Sequence, residues 1–178
     1  EKHEIERILM ELSQEIVPHA EEIFINLEIL TKMDVLQAKA LYAREIKATR
    51  PLVHAENYIQ LFGARHPLIP EGEVVANDIQ LGDRYKTVVV TGPNTGWKTV
   101  ILKTLGFLQL MGESGLYLPV EEESTIGVFN HILSDIGDEQ SIEQSLSTFS
   151  SHLTTIVSIL EVLDANSLVL LDELGAGT

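Results

Sequence analysis

The chain has 178 residues, 44% of them apolar, with 27 acidic and 12 basic side chains and a formal charge of −15. That is enough apolar material for one packed domain plus a helical extension, while the acidic balance works against a nucleic-acid groove built from these residues, since neutralising phosphates needs clustered Lys and Arg, and fits solubility more simply. With no cysteine, disulfides and thiolate metal sites are excluded, and the six histidines lie too far apart in sequence to suggest a local ligand motif.

No apolar run approaches the length of a bilayer span, and the charged start Glu1-Lys2-His3-Glu4 is no signal peptide, so a cytoplasmic protein without a membrane partner is expected. From Glu1 to about Thr31, Ile5, Ile8, Leu9, Leu12, Ile16, Ile23, Leu27 and Leu30 recur at helical spacing, with Pro18 set to bend or break the helix near Val17. Asp34 offers an N-cap for a second helix to about Ala48, whose apolar side would be Leu36, Ala40, Leu41, Ala43 and Ile46. The polar face is acidic, which argues against a membrane-surface helix. Thr49-Arg50-Pro51 ends this part, giving an expected division into a helical segment, residues 1–52, and a second domain, residues 53–178.

Beyond the boundary the pattern changes to short strands. Tyr58–Ala64 alternates, Arg65-His66-Pro67 turns the chain, and Val74–Ile79 and Thr87–Val90 are two further extended runs flanking Gly82-Asp83. An antiparallel layer leaning on a parallel sheet is expected, with Thr87–Val90 as a buried strand.

That run leads into Thr91-Gly92-Pro93-Asn94-Thr95-Gly96-Trp97-Lys98-Thr99, a phosphate-binding P-loop with one departure. The pattern G-x-x-x-x-G-K-[ST] puts Gly92, Lys98 and Thr99 in register and Trp97 at the second glycine. In an intact loop, backbone N–H groups and the helix N-terminus cradle the phosphates, the lysine reaches the outer two, and the hydroxyl holds magnesium. A side chain at the second glycine brings two possibilities. Either positive φ costs about 1–2 kcal/mol and the indole blocks the ligand, or the indole turns outward and the loop still works.

After the loop, Val100, Leu102, Leu105, Leu108 and Met111 form the buried stripe of a helix ending near Gly112–Gly115. Leu116–Val120 is short and extended, Glu121-Glu122-Glu123 a solvated turn, and Phe129–Ile136 a strand. The serine-rich stretch Ser145-Leu146-Ser147-Thr148-Phe149 starts a helix carrying Leu153, Ile156, Leu160 and Leu163. Capping is its simpler reading; the alternative is a phosphate grip by hydroxyls and free N–H groups at the positive helix end. Ser167–Leu171 reads as a buried parallel strand. It ends in Asp172-Glu173, where the first carboxylate can share the magnesium of Thr99 and the second can orient or deprotonate the attacking water.

Taken together, the P-loop, the run Asp135-Ile136-Gly137-Asp138-Glu139-Gln140-Ser141 through His152, the end Leu171-Asp172-Glu173-Leu174-Gly175-Ala176-Gly177-Thr178, and Ala64-Arg65-His66-Pro67-Leu68 resemble the MutS type 2 proteins, bacterial relatives of the mismatch-repair ATPase MutS. The resemblance covers nearly the whole chain. It implies an α/β P-loop NTPase fold, the first part of an ABC-type ATPase head, preceded by the end of a helical lever. It also implies a homodimer in which each ATP lies between one P-loop (Gly92, Pro93, Asn94, Thr95, Gly96, Trp97, Lys98, Thr99) and the partner's signature helix (Ser145, Ser147, Thr148). Thr99 and Asp172 would then bind Mg2+, Glu173 would act on water, and Arg65-His66-Pro67 with Val74-Val75 would pack around the base.

The family has glycine in place of Trp97. Its switch histidine, DNA-clamping segments and Smr nuclease domain lie outside this stretch, so a fragment is expected, with DNA and ribosome contacts made by other segments. The parent protein resembles enzymes tied to suppression of recombination and, in some bacteria, to rescue of collided ribosomes. The alternative is a degenerate head that binds no nucleotide because of Trp97 and serves in dimerisation or scaffolding. A third reading, a small P-loop kinase, fits the lever-like start poorly.

Overall fold

The computed structural model describes residues 1–92, 96–137 and 145–172, the last stretch as backbone only through Ser151. Two compact units divide the chain, Glu1–Tyr42 and Ala43–Thr178.

The first unit is helical. Helix α1, Lys2–Ile16, passes through one 3-10 turn, Val17–His19, into α2, Ala20–Glu45. Pro18 thus interrupts the helix at the expected place. It does so gently, because a proline in the first turn of a new helical stretch gives up an N–H that would have lacked a partner anyway. Asp34, by contrast, caps nothing: α2 runs 26 residues without a break and Asp34 lies inside it. Favourable neighbours carry a helix straight through a single cap-type residue, whose propensity cost is a fraction of a kcal/mol (roughly 0.5). None of the side chains of α1 or α2 is buried.

The second unit holds the core. Strands β1 (Leu52–Val53), β2 (Ile59–Ala64), β3 (Asn77–Leu81) and β4 (Thr125–Ile126) form a four-stranded sheet in the order β1-β4-β2-β3. The β2–β3 and β2–β4 pairs are antiparallel and β1–β4 is parallel, with the β2–β3 register shifting between Leu61 and Ala64. Strands β5 (His131–Asp135) and β6 (Ser167–Leu171) form a separate parallel pair, register His131 opposite Ser167 through Asp135 opposite Leu171. Helix α3, Trp97–Glu113, contacts both strands of this pair, and α4, Ser145–Val162, contacts β5. Gly106 lets α3 approach closely, since a Cβ there would lie 2.6 Å from Leu170 Cδ1.

Buried alternation follows from these layers. Ile59, Leu61 and Ala64 of β2, Leu105, Leu108 and Met111 of α3, and Leu168 and Leu170 of β6 belong to the core, together with Leu118, Val120 and Ile126. Two expectations need correction. The run expected from Val74 begins at Asn77 instead, after turn structure at residues 71–73. Residues 87–90 are not a buried strand: no described residue pairs with them, and Val89 is 78% exposed. β-branched residues favour extended backbone, but a strand closes only when a neighbour supplies the ladder.

Candidate functional site

The site is built where α3 begins and β6 ends. Gly96 precedes α3 in the left-handed region, φ 79°, and its carbonyl accepts the amide of Val100 at 3.2 Å. Trp97 is the first helical residue and Lys98 and Thr99 complete the opening turn, where the N–H groups lack intrahelical partners and the helix dipole is positive. The expected backbone cost at Trp97 does not arise. The left-handed turn falls one residue earlier, on a glycine, and among the described residues the non-glycine positive-φ positions are Lys47 and Glu123.

The indole itself does not turn away from the loop. A Cβ on Gly92 would lie 2.7 Å from Trp97 Cζ2, so the ring folds back onto the loop's first glycine while remaining 39% exposed. Gly92 has φ 153°, and the ring depends on its having no side chain.

Thr99 and Asp172 meet across 73 residues. The Thr99 hydroxyl donates to Asp172 Oδ2 at 2.5 Å. Asp172 lies just past the last residue of β6, and its amide donates to the Asp135 carbonyl at 3.0 Å, extending the parallel ladder. A hydroxyl and a carboxylate together are hard oxygen donors of the kind magnesium takes.

Asp135 brings in a residue that the sequence reading did not single out. His152, on α4, has Nδ1 at 2.9 and 3.0 Å from the two Asp135 carboxylate oxygens. A carboxylate only accepts, so Nδ1 carries the proton. Asp135 and His152 both stand in the motif stretch, but their pairing needs β5 and α4 to be neighbours, which no spacing rule encodes.

A second feature lies on α3. His66 stacks on Phe107, ring centroids 5.6 Å apart and planes 25° from parallel, and burial, then the charge of Lys103, hold its imidazole below the ordinary 6.5. Arg65, His66, Pro67 and Val74 share a cleft of about 200 Å³ with Lys47 and Glu71, where the last two form an exposed ion pair. Val75 is exposed and does not line it.

Of the expected site residues, Gly92, Gly96, Trp97, Lys98, Thr99 and Asp172 are described. Pro93, Asn94, Thr95 and Glu173 lie outside the described residues, and Ser145, Ser147 and Thr148 are described as backbone in the first turns of α4. No group of three or more His, Asp or Glu side chains that could hold a metal occurs among the described residues.

A helix N-terminus whose hydroxyl reaches a carboxylate at the end of a parallel strand defines a mixed α/β protein with an oxygen-donor pair at the edge of its sheet. The family model "MutS domain V" matches residues 88–178, and the chain belongs to that family. Over all 178 residues it is 56% identical to the endonuclease MutS2 of Halalkalibacterium halodurans and 58% identical to that of Latilactobacillus sakei. Over 175 residues, 98% of the chain, it is 59% identical to the endonuclease MutS2 of Lacticaseibacillus casei. The chain spans 23% of the length of the first two relatives and 22% of the third.

Proposed function

We propose that this chain is part of a magnesium-dependent ATPase head of the MutS type, with a P-loop NTPase fold. The observation that carries the reading is the 2.5 Å contact between Thr99 and Asp172, two oxygen donors delivered from separate elements to one point beside a helix N-terminus. Thr99 Oγ1 and Asp172 would hold the ion, which when bound supplies positive charge against the phosphates. In this reading Gly92, Pro93, Asn94, Thr95, Gly96 and Trp97 belong to the nucleotide-binding loop, and Lys98 serves the outer phosphates. Glu173 orients water, and Ser145, Ser147 and Thr148 serve the nucleotide of a second copy in a homodimer. Residues 1–52 act as the end of a lever. Contacts of the parent protein to DNA or the ribosome would fall to segments other than these residues.

A second reading has its own observation. The indole of Trp97 rests against Gly92, in the space a phosphate would approach, which favours a nucleotide-free head used for association. Calorimetric titration with magnesium-ATP on the chain and on Trp97→Gly separates the two. Binding by both, with quenching of the chain's single tryptophan as the ring is displaced, supports the ATPase reading. Binding by the glycine variant alone assigns the second reading, and binding by neither removes the first.

A further inference from the structure

We infer that Asp135, Gly137 and His152 form a clasp that fixes the first turns of α4 against the end of the β5–β6 pair, so that His152 is a positioning residue for the contacts α4 makes to the nucleotide of a second copy; the nucleotide part rests on the ATPase reading above.

Three observations meet here. Both carboxylate oxygens of Asp135 lie within 3.0 Å of His152 Nδ1, with the two side chains only 12% and 27% exposed. A hydrogen bond to a carboxylate in a place with little water is among the stronger and more directional ones. The ring is seated over Gly137: a Cβ there would lie 2.9 Å from His152 Cε1 and 3.2 Å from Nε2, so even a methyl group must displace the imidazole. Asp135 is also joined to the metal-side carboxylate residue, because its carbonyl accepts the Asp172 amide at 3.0 Å. One residue thus ties α4 by its side chain and Asp172 by its backbone.

The position of His152 along α4 gives the clasp its use. Thr148 is one turn and Ser145 two turns before it in a single helix, Ser145–Val162. Holding His152 sets where those turns begin relative to β5, the strand α4 contacts. Releasing it leaves the front of the helix to fray, since its first N–H groups have no intrahelical partners.

The test uses His152→Ala, His152→Asn, which keeps a side-chain N–H donor, and Gly137→Ala. In nucleotide-free protein, amide exchange of residues 145–151 should rise about tenfold in His152→Ala and Gly137→Ala, while α3 amides stay unchanged and His152→Asn recovers most of the protection. In magnesium-ATP turnover the same two variants should lower kcat about tenfold with KM within about twofold. Unchanged exchange in His152→Ala overturns the clasp, and a raised KM with unchanged kcat overturns its role toward the second copy. If exchange responds as expected but the unaltered protein neither binds nor hydrolyses ATP, the clasp stands and the ATPase reading fails.

Discussion

Helices α2 and α3 are both rich in apolar residues, but they use them differently. In α2, Ile23, Phe24, Ile25, Leu27, Ile29, Leu30 and Met33 point to all sides and every one is exposed. In α3 a stripe of Leu105, Leu108 and Met111 is buried, with Thr104 and Gln109 beside it, and Gly106 lets β6 come close. A helix apolar all round has the composition of one enclosed by neighbours, whereas a striped one needs cover on one side only. Apolar content therefore foretells demand for burial, and only the packing of other elements meets it.

The comparison breaks most directly at its largest expected effect. Leu108→Ala, at a position 0% exposed, should lower the unfolding free energy of the chain in urea by about 2–5 kcal/mol. Leu27→Ala, at a position 58% exposed, should change it by less than about 0.5 kcal/mol. Equal losses would mean that α2 packs in solution.

Gln109 sharpens the contrast, because it is a polar residue inside the buried stripe. Its Nε2 donates to the Gly127 carbonyl at 2.7 Å and to Glu113 Oε1 at 2.9 Å, and Glu113 Oε1 also accepts the Phe129 amide at 3.0 Å. Gln109→Leu keeps the bulk and strips the Gly127 carbonyl of its donor, so denaturant unfolding should register a loss of about 1–3 kcal/mol. An unchanged midpoint would show that this network adds nothing to apolar packing.

His66, which follows β2 and stacks on Phe107 of α3, gives a smaller, pH-dependent effect. Its folded imidazole resists protonation, through burial first and Lys103 second, whereas the unfolded chain takes up a proton near 6.5. The unfolded state then binds more protons, so stability should decline as pH falls below about 6.5 until the folded group protonates, and be flat with respect to this group above it. His66→Phe, which keeps a ring against Phe107, should remove that acid slope in pH-dependent melting; an unaltered slope would locate the titration elsewhere. The smallest effect belongs to α1. Arg7 bonds Glu4 and Glu11 at 2.5 Å each, all three exposed, and Arg7→Ala should leave the melting midpoint unmoved because water and salt screen such pairs.

Several features were legible in the residues. The helical spacing of α1, the interruption at Pro18, the Leu105, Leu108 and Met111 part of the α3 stripe and the strand Ser167–Leu171 all follow from local periodicity and turn chemistry, which act over a few residues; Val100, expected in that stripe, is exposed and Leu102 is only half-buried. The extent of α2 was not legible, because a cap residue is a weak local preference that a favourable helix on both sides overrides. Residues 87–90 misled for the opposite reason: their strand propensity is real, but a ladder needs a partner.

The sequence by itself determined that Lys98 and Thr99 open a helix after a glycine turn and that Asp172 ends an apolar run, since both are matters of order along the chain. Only the tertiary structure decided that Thr99 and Asp172 touch, that the Trp97 indole lies on Gly92, and that Asp135 holds His152. Those contacts join residues that are distant in sequence or depend on a side-chain rotamer, and their geometry is fixed by how α3, α4, β5 and β6 pack.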